Sequence, residues 1–357
     1  MKIKQLLKPL IAVALLSAIA VSATACSSSG SASSGASNSS KYPSSITVVW
    51  YPNESATNYA SARQHFESLI AKATGKKVID KTTTDYNIAI EALANGQAQI
   101  GAYMGALGYI QAKQENSAVN LLFVNTGASG TLSDAFYYSR ICVPTDQAKN
   151  YMTNGKYTLD NIQGKKISFV SNSSTSGFLF PTTSIVSYFS KQAKWKSLTT
   201  DDLSQGGNGK FFSDVVFAGS HQGSAADLLS GKVDVAAFDD VDTNSYFQVV
   251  SGDVKTPGSV FKVKAGAAAP FDTLAGKEFT IIQALPVLNG PFAYNSNTLS
   301  PSDAKAIENL MTSSTVANDP QVFGPASSTN DLLEKDGNEK FVTVSDSWYD
   351  AIRKVMS

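Results

Sequence analysis

Lys166-Ile167-Ser168-Phe169-Val170, then Ser173-Ser174-Thr175-Ser176-Gly177, then Phe178-Leu179-Phe180-Pro181, is the stretch on which the reading of this 357-residue chain turns. The first run is β-branched and apolar and predicts a strand. The third opens an apolar-periodic segment to about Ala193 and predicts a helix. Between them lies a loop of small hydroxyl residues. A strand, a hydroxyl loop and a helix N-terminus together hold a tetrahedral oxyanion without a metal. Free backbone N–H groups and the positive end of the helix dipole face the anion. Hydroxyls add donors, and Gly177 permits close backbone approach. A second loop of this kind, Gly219-Ser220-His221-Gln222-Gly223-Ser224, follows a predicted strand, Val215-Val216-Phe217, and precedes a helix. Two such loops suggest one anion held from two sides.

Outward from these loops, predicted strands and helices alternate. Strands are expected at Ile46–Tyr51, from Lys77, and at Ala98–Ala102, Val119–Asn125, Phe136–Val143 and Lys232–Ala237. Extended segments are expected at Phe279–Leu285 and Pro291–Tyr294. Helices are expected at Ser55–Thr74 (Ser55 as N-cap, Gly75 as stop), Asn87–Ala94, Met104–Gln114, Pro301–Thr312 and Asp346–Met356, with a short helical piece near 144–152. This alternation predicts an α/β fold with largely parallel sheets.

The first eight residues carry Lys2, Lys4 and Lys8 and no acid. Pro9–Val21 is almost unbroken apolar sequence, and Ala23-Thr24-Ala25 precedes Cys26. This is the pattern of a secretory signal peptide, residues 1–25, with an apolar run too short to span a membrane. Cysteine after small residues resembles a bacterial lipoprotein processing site, which would make Cys26 the lipidated first residue. Ala23 departs from the usual leucine there, so ordinary cleavage after Ala25 is the alternative. Residues 27–45 are nearly all Ser, Gly, Ala and Asn, a flexible tether. An anchor followed by a tether suits a domain working just outside a membrane.

Removing the signal leaves 26 basic against 29 acidic residues, a balance that does not suggest nucleic acid. The remaining chain is long enough for two lobes with separate cores. Cys142 has no partner for an internal disulfide and is expected to be a buried small hydrophobe.

The chain resembles the periplasmic phosphonate-binding proteins of ATP-binding-cassette importers and their phosphite and phosphate relatives. The resemblance runs from about Ile46 to Leu299. Its markers appear in order: Thr47-Val48-Val49-Trp50-Tyr51 leading to Pro52-Asn53-Glu54-Ser55; Thr84-Asp85-Tyr86 with Ile90-Glu91-Ala92-Leu93; and Ser174-Thr175-Ser176-Gly177 with Pro181. Val216–His221 with Gly231-Lys232-Val233-Asp234 follows, and then Leu285-Pro286 through Pro291. The resemblance implies a two-lobed clamp of the type II binding-protein fold, each lobe a mostly parallel sheet flanked by helices. Lobe one would be residues 46–142 and 284–357, and lobe two residues 143–283. The crossing strands would be Tyr138–Val143 and Gln283–Tyr294, with ligand held between the lobes.

On the same resemblance, Ser174, Thr175, Ser176, His221 and Tyr86 would bind the anion, and a cationic His221 would strengthen its bond. The residues alone also allow a plain helix cap for the hydroxyls and a packed ring for Tyr86. His65, among polar neighbours on its helix, reads as a solvated side chain. Alignment places Met104 at a second family tyrosine, with Tyr103 one residue earlier, leaving open which of the two faces the ligand. Aminoalkylphosphonate binders hold the ligand ammonium with carboxylates. Those positions here read Val241, within Asp239-Asp240-Val241-Asp242, and Asn289-Gly290. Asp239 or Asp240 would have to substitute. Phosphate, phosphite or an uncharged alkylphosphonate therefore suits the chain better than aminoethylphosphonate.

The function implied is an extracytoplasmic lipoprotein that binds a phosphorus oxyanion and delivers it to a membrane permease. No cofactor or metal is implied, and a monomer is expected. The same clamp serving a sensor, or holding another anion such as sulfonate, is the alternative. A hydrolase is disfavoured because no Gly-x-Ser-x-Gly elbow is present. A zinc site is disfavoured because two distant histidines and one thiol offer no chelating spacing.

Overall fold

The computed structural model describes residues 41–53, 59–325 and 331–356. The expected signal segment, Cys26, most of the tether and Ser55 lie outside the described residues. In chain order the strands are β1 (Ser45–Trp50), β2 (Lys77–Thr82), β3 (Ile100–Ala102), β4 (Val119–Asn125), β5 (Phe136–Pro144), β6 (Met152–Thr153), β7 (Lys156–Tyr157) and β8 (Lys166–Phe169). They continue with β9 (Asp214–Phe217), β10 (Val235–Asp239), β11 (Phe247–Ser251), β12 (Val260–Val263), β13 (Glu278–Leu288), β14 (Phe292–Asn295), β15 (Phe323–Gly324), β16 (Leu333–Glu334) and β17 (Phe341–Val342). The α-helices are α1 (Ala60–Thr74), α2 (Tyr86–Ala94), α3 (Ala106–Glu115), α4 (Phe180–Phe189), α5 (His221–Leu229), α6 (Pro301–Met311), α7 (Ser314–Ala317) and α8 (Asp350–Met356). No described helix is long and apolar enough to cross a membrane.

Two large sheets organise these elements. One has the order β17-β4-β14-β3-β1-β2, the other β11-β12-β13-β5-β10-β8-β9. Each is covered on both faces, which explains why β1 reads Val48-Val49-Trp50 without polar alternation. Val48 and Trp50 pack with Phe66 of α1 and Ile307 of α6, while Val49 packs with α2 and α3. Along β5, Ile141 and Val143 face the α4 side, and Cys142 faces Ala225 and Leu228 of α5. Burial pushes the Cys142 thiol up to about 12, so it stays an inert protonated filler.

The expected parallel sheets are in fact mixed. Parallel pairing is confined to β2-β1-β3 and β10-β8-β9. β5, β13 and β14 run antiparallel to their neighbours. The chain leaves the first sheet at Asn125, enters the second at Phe136, and returns between Leu288 and Phe292, so its outgoing and returning strands oppose one another. β11 and β12 are a further antiparallel pair that sequence periodicity did not reveal, since β11 exposes most of its residues.

Boundaries follow the local chemistry. α1 stops at Gly75, in the left-handed conformation at φ 68°. Asp85 caps α2 by accepting from Asn87 N at 2.7 Å, and Ser300 caps α6 ahead of Pro301. The strand expected at 232–237 lies instead at Val235–Asp239, which carries Asp239 to the strand's buried end.

Asn289 ties together the two passages between the sheets. Its N–H donates to Ala135 O at 3.1 Å and its Nδ2 to Asn125 O at 2.9 Å, while Tyr349 Oη donates to its carbonyl at 2.7 Å. Gly290 must be glycine, because a Cβ there would lie 2.3 Å from Met104 O. Asn289→Asp would set a buried carboxylate against the Asn125 carbonyl. It is expected to cost about 3–5 kcal/mol, against about 1–2 kcal/mol for Asn289→Ala. Denaturant unfolding of both variants checks the order, and an aspartate as mild as the alanine would refute it.

Candidate functional site

Four helical segments begin at one small cavity. Tyr86 is the first residue of α2, and His221 the first of α5. Thr175 opens a π turn, Thr175–Leu179, that runs into α4. Gly105 precedes α3. Each start is set by its own local chemistry. Ser174 Oγ accepts from Gly177 N at 3.0 Å, and Ser220 Oγ accepts from Gly223 N at 3.0 Å. The π turn packs closely on Val170, the residue after β8, where a Cβ on Gly177 would lie 2.2 Å from Val170 Cγ2. The helix expected from Phe178 therefore starts earlier, inside the hydroxyl loop itself. Short π segments of this kind often accompany functional sites.

The start of α3 is capped from the other sheet's elements. Leu107 N donates to Thr175 Oγ1 at 3.0 Å, and Ser173 Oγ donates to Asn87 Oδ1 of α2 at 2.7 Å. Tyr103 takes φ 52°, a conformation uncommon outside glycine, and this reverses the chain between β3 and α3. Met104 turns into the core, buried beside Gly101 and Leu93, while Tyr103 lines the cavity. Backbone geometry thus decides between the two residues.

Counting donors and acceptors defines what the cavity can hold. Ser174 and Thr175 each accept a backbone N–H on their oxygen, leaving the hydroxyl proton to donate. Tyr86 Oη donates to Asn53 Oδ1 at 2.6 Å. Tyr137 Oη donates to Ser176 Oγ at 3.1 Å, and Ser176 Oγ donates to Asp239 Oδ2 at 3.3 Å. Ser176 is therefore brought to the cavity with its proton already directed at a carboxylate. Asp239 and Asp242 line the wall with Val241, whereas Asp240 does not. Asp240 Oδ1 instead accepts from Tyr138 N at 2.8 Å.

His221 is neutral, so it does not supply the charge-assisted bond that a cationic imidazole would add. Its Nδ1 accepts the backbone N–H of Asp239 at 3.0 Å, so that nitrogen holds a lone pair and Nε2 holds the proton. Carboxylate oxygens of Asp239 and Asp242 lie 3.3 and 3.9 Å from Nε2 and would favour a cation. A second proton on Nδ1 would face an N–H, however, and burial pushes the imidazole down to about 3, with Arg140 adding to the effect. The same argument bears on metals. His221, Asp239 and Asp242 are close enough to surround an ion, but a protonated Nε2 offers it no lone pair.

Arg140 lies beneath this wall, fully buried on β5. Its guanidinium donates to Asp239 O, and to Thr243 Oγ1 at 2.8 Å, and it stacks among Phe238, Phe261 and Phe279 at 5.3, 5.4 and 5.8 Å. It fixes the turn that carries Asp239, Val241 and Asp242. It also supplies the buried positive charge opposite three buried acids.

The cavity continues through Asn53, Tyr103, Val241 and Asp242 into a wider cleft. Trp50, Tyr51, Leu333, Asp331 and Glu334 are among the residues lining the cleft. Burial, then Asp336, Asp240 and Asp331, hold the Glu334 carboxyl up at about 6. Tyr137, Asn53, Asp242 and Arg140 were not singled out from the sequence. Asp242 stood in the acid run and Asn53 in the quoted strand-end motif, but nothing marked Tyr137 or Arg140. His65 bonds Asp319 Oδ2 at 2.7 Å and is not among the residues lining either cavity.

A family model described as ABC transporter, phosphonate, periplasmic substrate-binding protein matches residues 48–349. The chain belongs to that family. The phosphate-import protein PhnD of Mycolicibacterium smegmatis is 27% identical to it over 245 residues, 68% of each chain. Two solved structures share the fold. A binding protein component of an ABC phosphonate transporter from Pseudomonas aeruginosa superposes with a TM-score of 0.61 at 18% identity, over 87% of this chain and 85% of its own. PhnD1 of Prochlorococcus marinus, solved with methylphosphonate, gives 0.58 at 14% identity, over 87% of this chain and 97% of its own. The chain is thus an extracytoplasmic substrate-binding protein of the phosphonate ABC-transporter family and not an enzyme.

The buried acids set the pH response. Desolvation raises Asp239 and holds Asp240 at about 6 and Glu67 at about 7. Between their unfolded and folded values the folded chain binds more protons, so their contribution to stability is complete at low pH and lost as pH rises through the folded values. His221 works in the opposite sense, its contribution fading as pH falls from about 6.5 toward about 3. Three acids outweigh one histidine above about pH 5. Tm is expected to rise from pH 7.5 to pH 5.5, with a smaller rise in Asp239→Asn. Thermal melts in matched ionic strength check this, and a Tm falling over that interval would refute it.

Proposed function

We propose that this chain captures a tetrahedral phosphorus oxyanion in the cavity between its two sheets and hands it to the permease of an ABC importer. The observation that carries the reading is the convergence of four helical starts, with the Ser174 and Thr175 hydroxyls, on one buried space. Helix N-termini concentrate unpaired N–H groups and positive potential, which suit an anion and disfavour a neutral or cationic core ligand. Tyr103 and His221 Nε2–H complete the shell, and Tyr86 lines it with its hydroxyl proton given to Asn53. On this reading the halves are lobes hinged at residues 126–135 and 289–291. The Thr175–Leu107 and Ser173–Asn87 bonds then link the two lobes, so that ligand and protein contacts favour closure together. Asp239 and Asp242 take the place of the family's amine-binding carboxylates.

The ligand is small: phosphate, phosphite or a short alkylphosphonate. Calorimetric titration of the purified protein with phosphate, phosphite, methylphosphonate and aminoethylphosphonate tests this. At least one is expected to bind, and Ser174→Ala is expected to lose about 10–100-fold, the loss typical of a hydrogen bond to a charged group. A folded protein silent toward all of them would overturn the reading.

Lipidation at Cys26, followed by the Ser/Gly-rich tether, would keep a monomeric clamp near its permease. Cys26→Ser is expected to move the protein from the membrane fraction to the soluble one. An unchanged distribution would remove the anchor from the account.

A further inference from the structure

We infer that Tyr349, in the turn ahead of α8, is a positioning residue for the anion cavity: its hydroxyl holds the return passage at Asn289 in the arrangement that closes the cavity. This rests on the reading that the cavity holds a phosphorus oxyanion between two lobes.

Tyr349 ends a short 3-10 turn, Asp346–Tyr349, that leads into α8. It is fully buried in the core built by α2, α3 and Val49 of β1, and is not among the residues lining the cavity. Its ring centre lies 5.6 Å from that of Tyr109, in the first turn of α3. Both rings are tied by their hydroxyls. Tyr109 Oη donates to Asp346 Oδ1 at 2.6 Å, and Tyr349 Oη donates to Asn289 O at 2.7 Å. Arg353 secures the turn from α8: its Nη2 donates to Asp346 Oδ1 at 2.7 Å and its Nη1 to Asp346 O at 3.0 Å.

Both points of attachment adjoin the cavity wall. Gly290 follows Asn289, Gly105 precedes α3, and both glycines line the cavity. Tyr109 N donates to Gly105 O at 3.1 Å, and Met104 N donates to Pro291 O at 2.9 Å. A Cβ on Gly290 would lie 3.3 Å from Gly105 Cα. The return passage and the start of α3 are therefore one packed piece, which the turn at Asp346–Tyr349 grips from behind. Tyr103 and Tyr137 of the cavity wall are electrostatic neighbours of the same phenol.

Residues 289–291 carry the chain from β13 in one sheet to β14 in the other. On the two-lobe reading they bend when the lobes part, and the Asn289 carbonyl turns with them. The Tyr349 hydroxyl is set by a packed core and does not follow. A hydrogen bond between a fixed donor and a turning acceptor is made in one arrangement and favours that arrangement. Here it is the arrangement in which Thr175 reaches α3 and Ser173 reaches α2. Asn289 is buried, so loss of the hydroxyl would leave its carbonyl without that donor in the closed form.

Tyr349→Phe keeps the ring and removes the hydroxyl. Calorimetric titration of the native protein and the variant with phosphate and with methylphosphonate is expected to show affinity about 3–10-fold weaker in the variant. The loss is expected in koff, with kon kept within about 2-fold. Stopped-flow tryptophan fluorescence separates the two, since Trp50 lines the adjoining cleft. Ser300→Ala, which removes the cap of α6 and lines neither cavity, is the control for stability alone. It is expected to lower Tm and leave koff unchanged. An unchanged koff in Tyr349→Phe overturns the proposal, as does an equal rise in Ser300→Ala. If Tyr349→Phe does not fold, Arg353→Ala loosens the same turn from the half-buried side, and its koff is expected to rise about 2–3-fold; no rise overturns the proposal. Hydrogen exchange over residues 286–292 without ligand is expected to quicken about 10-fold in Tyr349→Phe and not in Ser300→Ala. Silence of the native protein toward both ligands defeats the oxyanion reading. Exchange alone then decides whether Tyr349 holds the passage, and an unchanged rate overturns that too.

Discussion

The arrangement on which the rest depends is the meeting of helix starts from both sheets at one buried point. Each helix leaves N–H groups without intrahelical partners, and burying several together is costly unless something accepts them. Part of the demand is met within the protein: Asp85, Ser174 and Ser220 cap their own helices, and Thr175 caps α3 from across the cavity. What remains is concentrated positive potential, for which an anion is the natural partner. The two sheets, their covered faces and the paired passages at Asn289 serve to place those starts.

Set against this potential is a wall of buried acid. Asp239, Asp240 and Asp242 occupy one turn, held by Arg140 from within an aromatic box. Burying a lone guanidinium is expensive, and replacing a buried ionic set with apolar residues is often tolerated. Its presence behind the turn is understandable if the acids must stay where they are. Removing Arg140 would leave three desolvated carboxyls with no compensating charge. The neutral His221 belongs to the same balance, because its Nδ1 is committed to the Asp239 backbone and its Nε2 can only donate.

Much of this was legible in the sequence, for reasons that can be named. The hydroxyl loop after β8 and the loop ahead of α5 are local signals, and β4 falls at Val119–Asn125 as the apolar run indicated. Features that depend on the mixing of distant segments were not legible. The antiparallel turn of β5, β13 and β14 follows from the chain passing twice between sheets, which periodicity does not encode. Tyr137 and Arg140 sit in a strand whose alternation only says that some residues face one way and some the other. Met104 and Tyr103 could not be separated because a single residue at φ 52° overrides the strand rule. The charge of His221 was not legible because its tautomer depends on a backbone N–H eighteen residues away.

The acid run shows why a family resemblance does not by itself identify a ligand. At the positions where an amine-binding carboxylate would be sought, the chain has Val241 and Asn289. Asn289 is committed to the passages between the sheets, so its amide serves architecture and cannot revert to an acid without disturbing them. Val241 is flanked by acids that point differently: Asp240 to the Tyr138 backbone, Asp239 and Asp242 to the cavity.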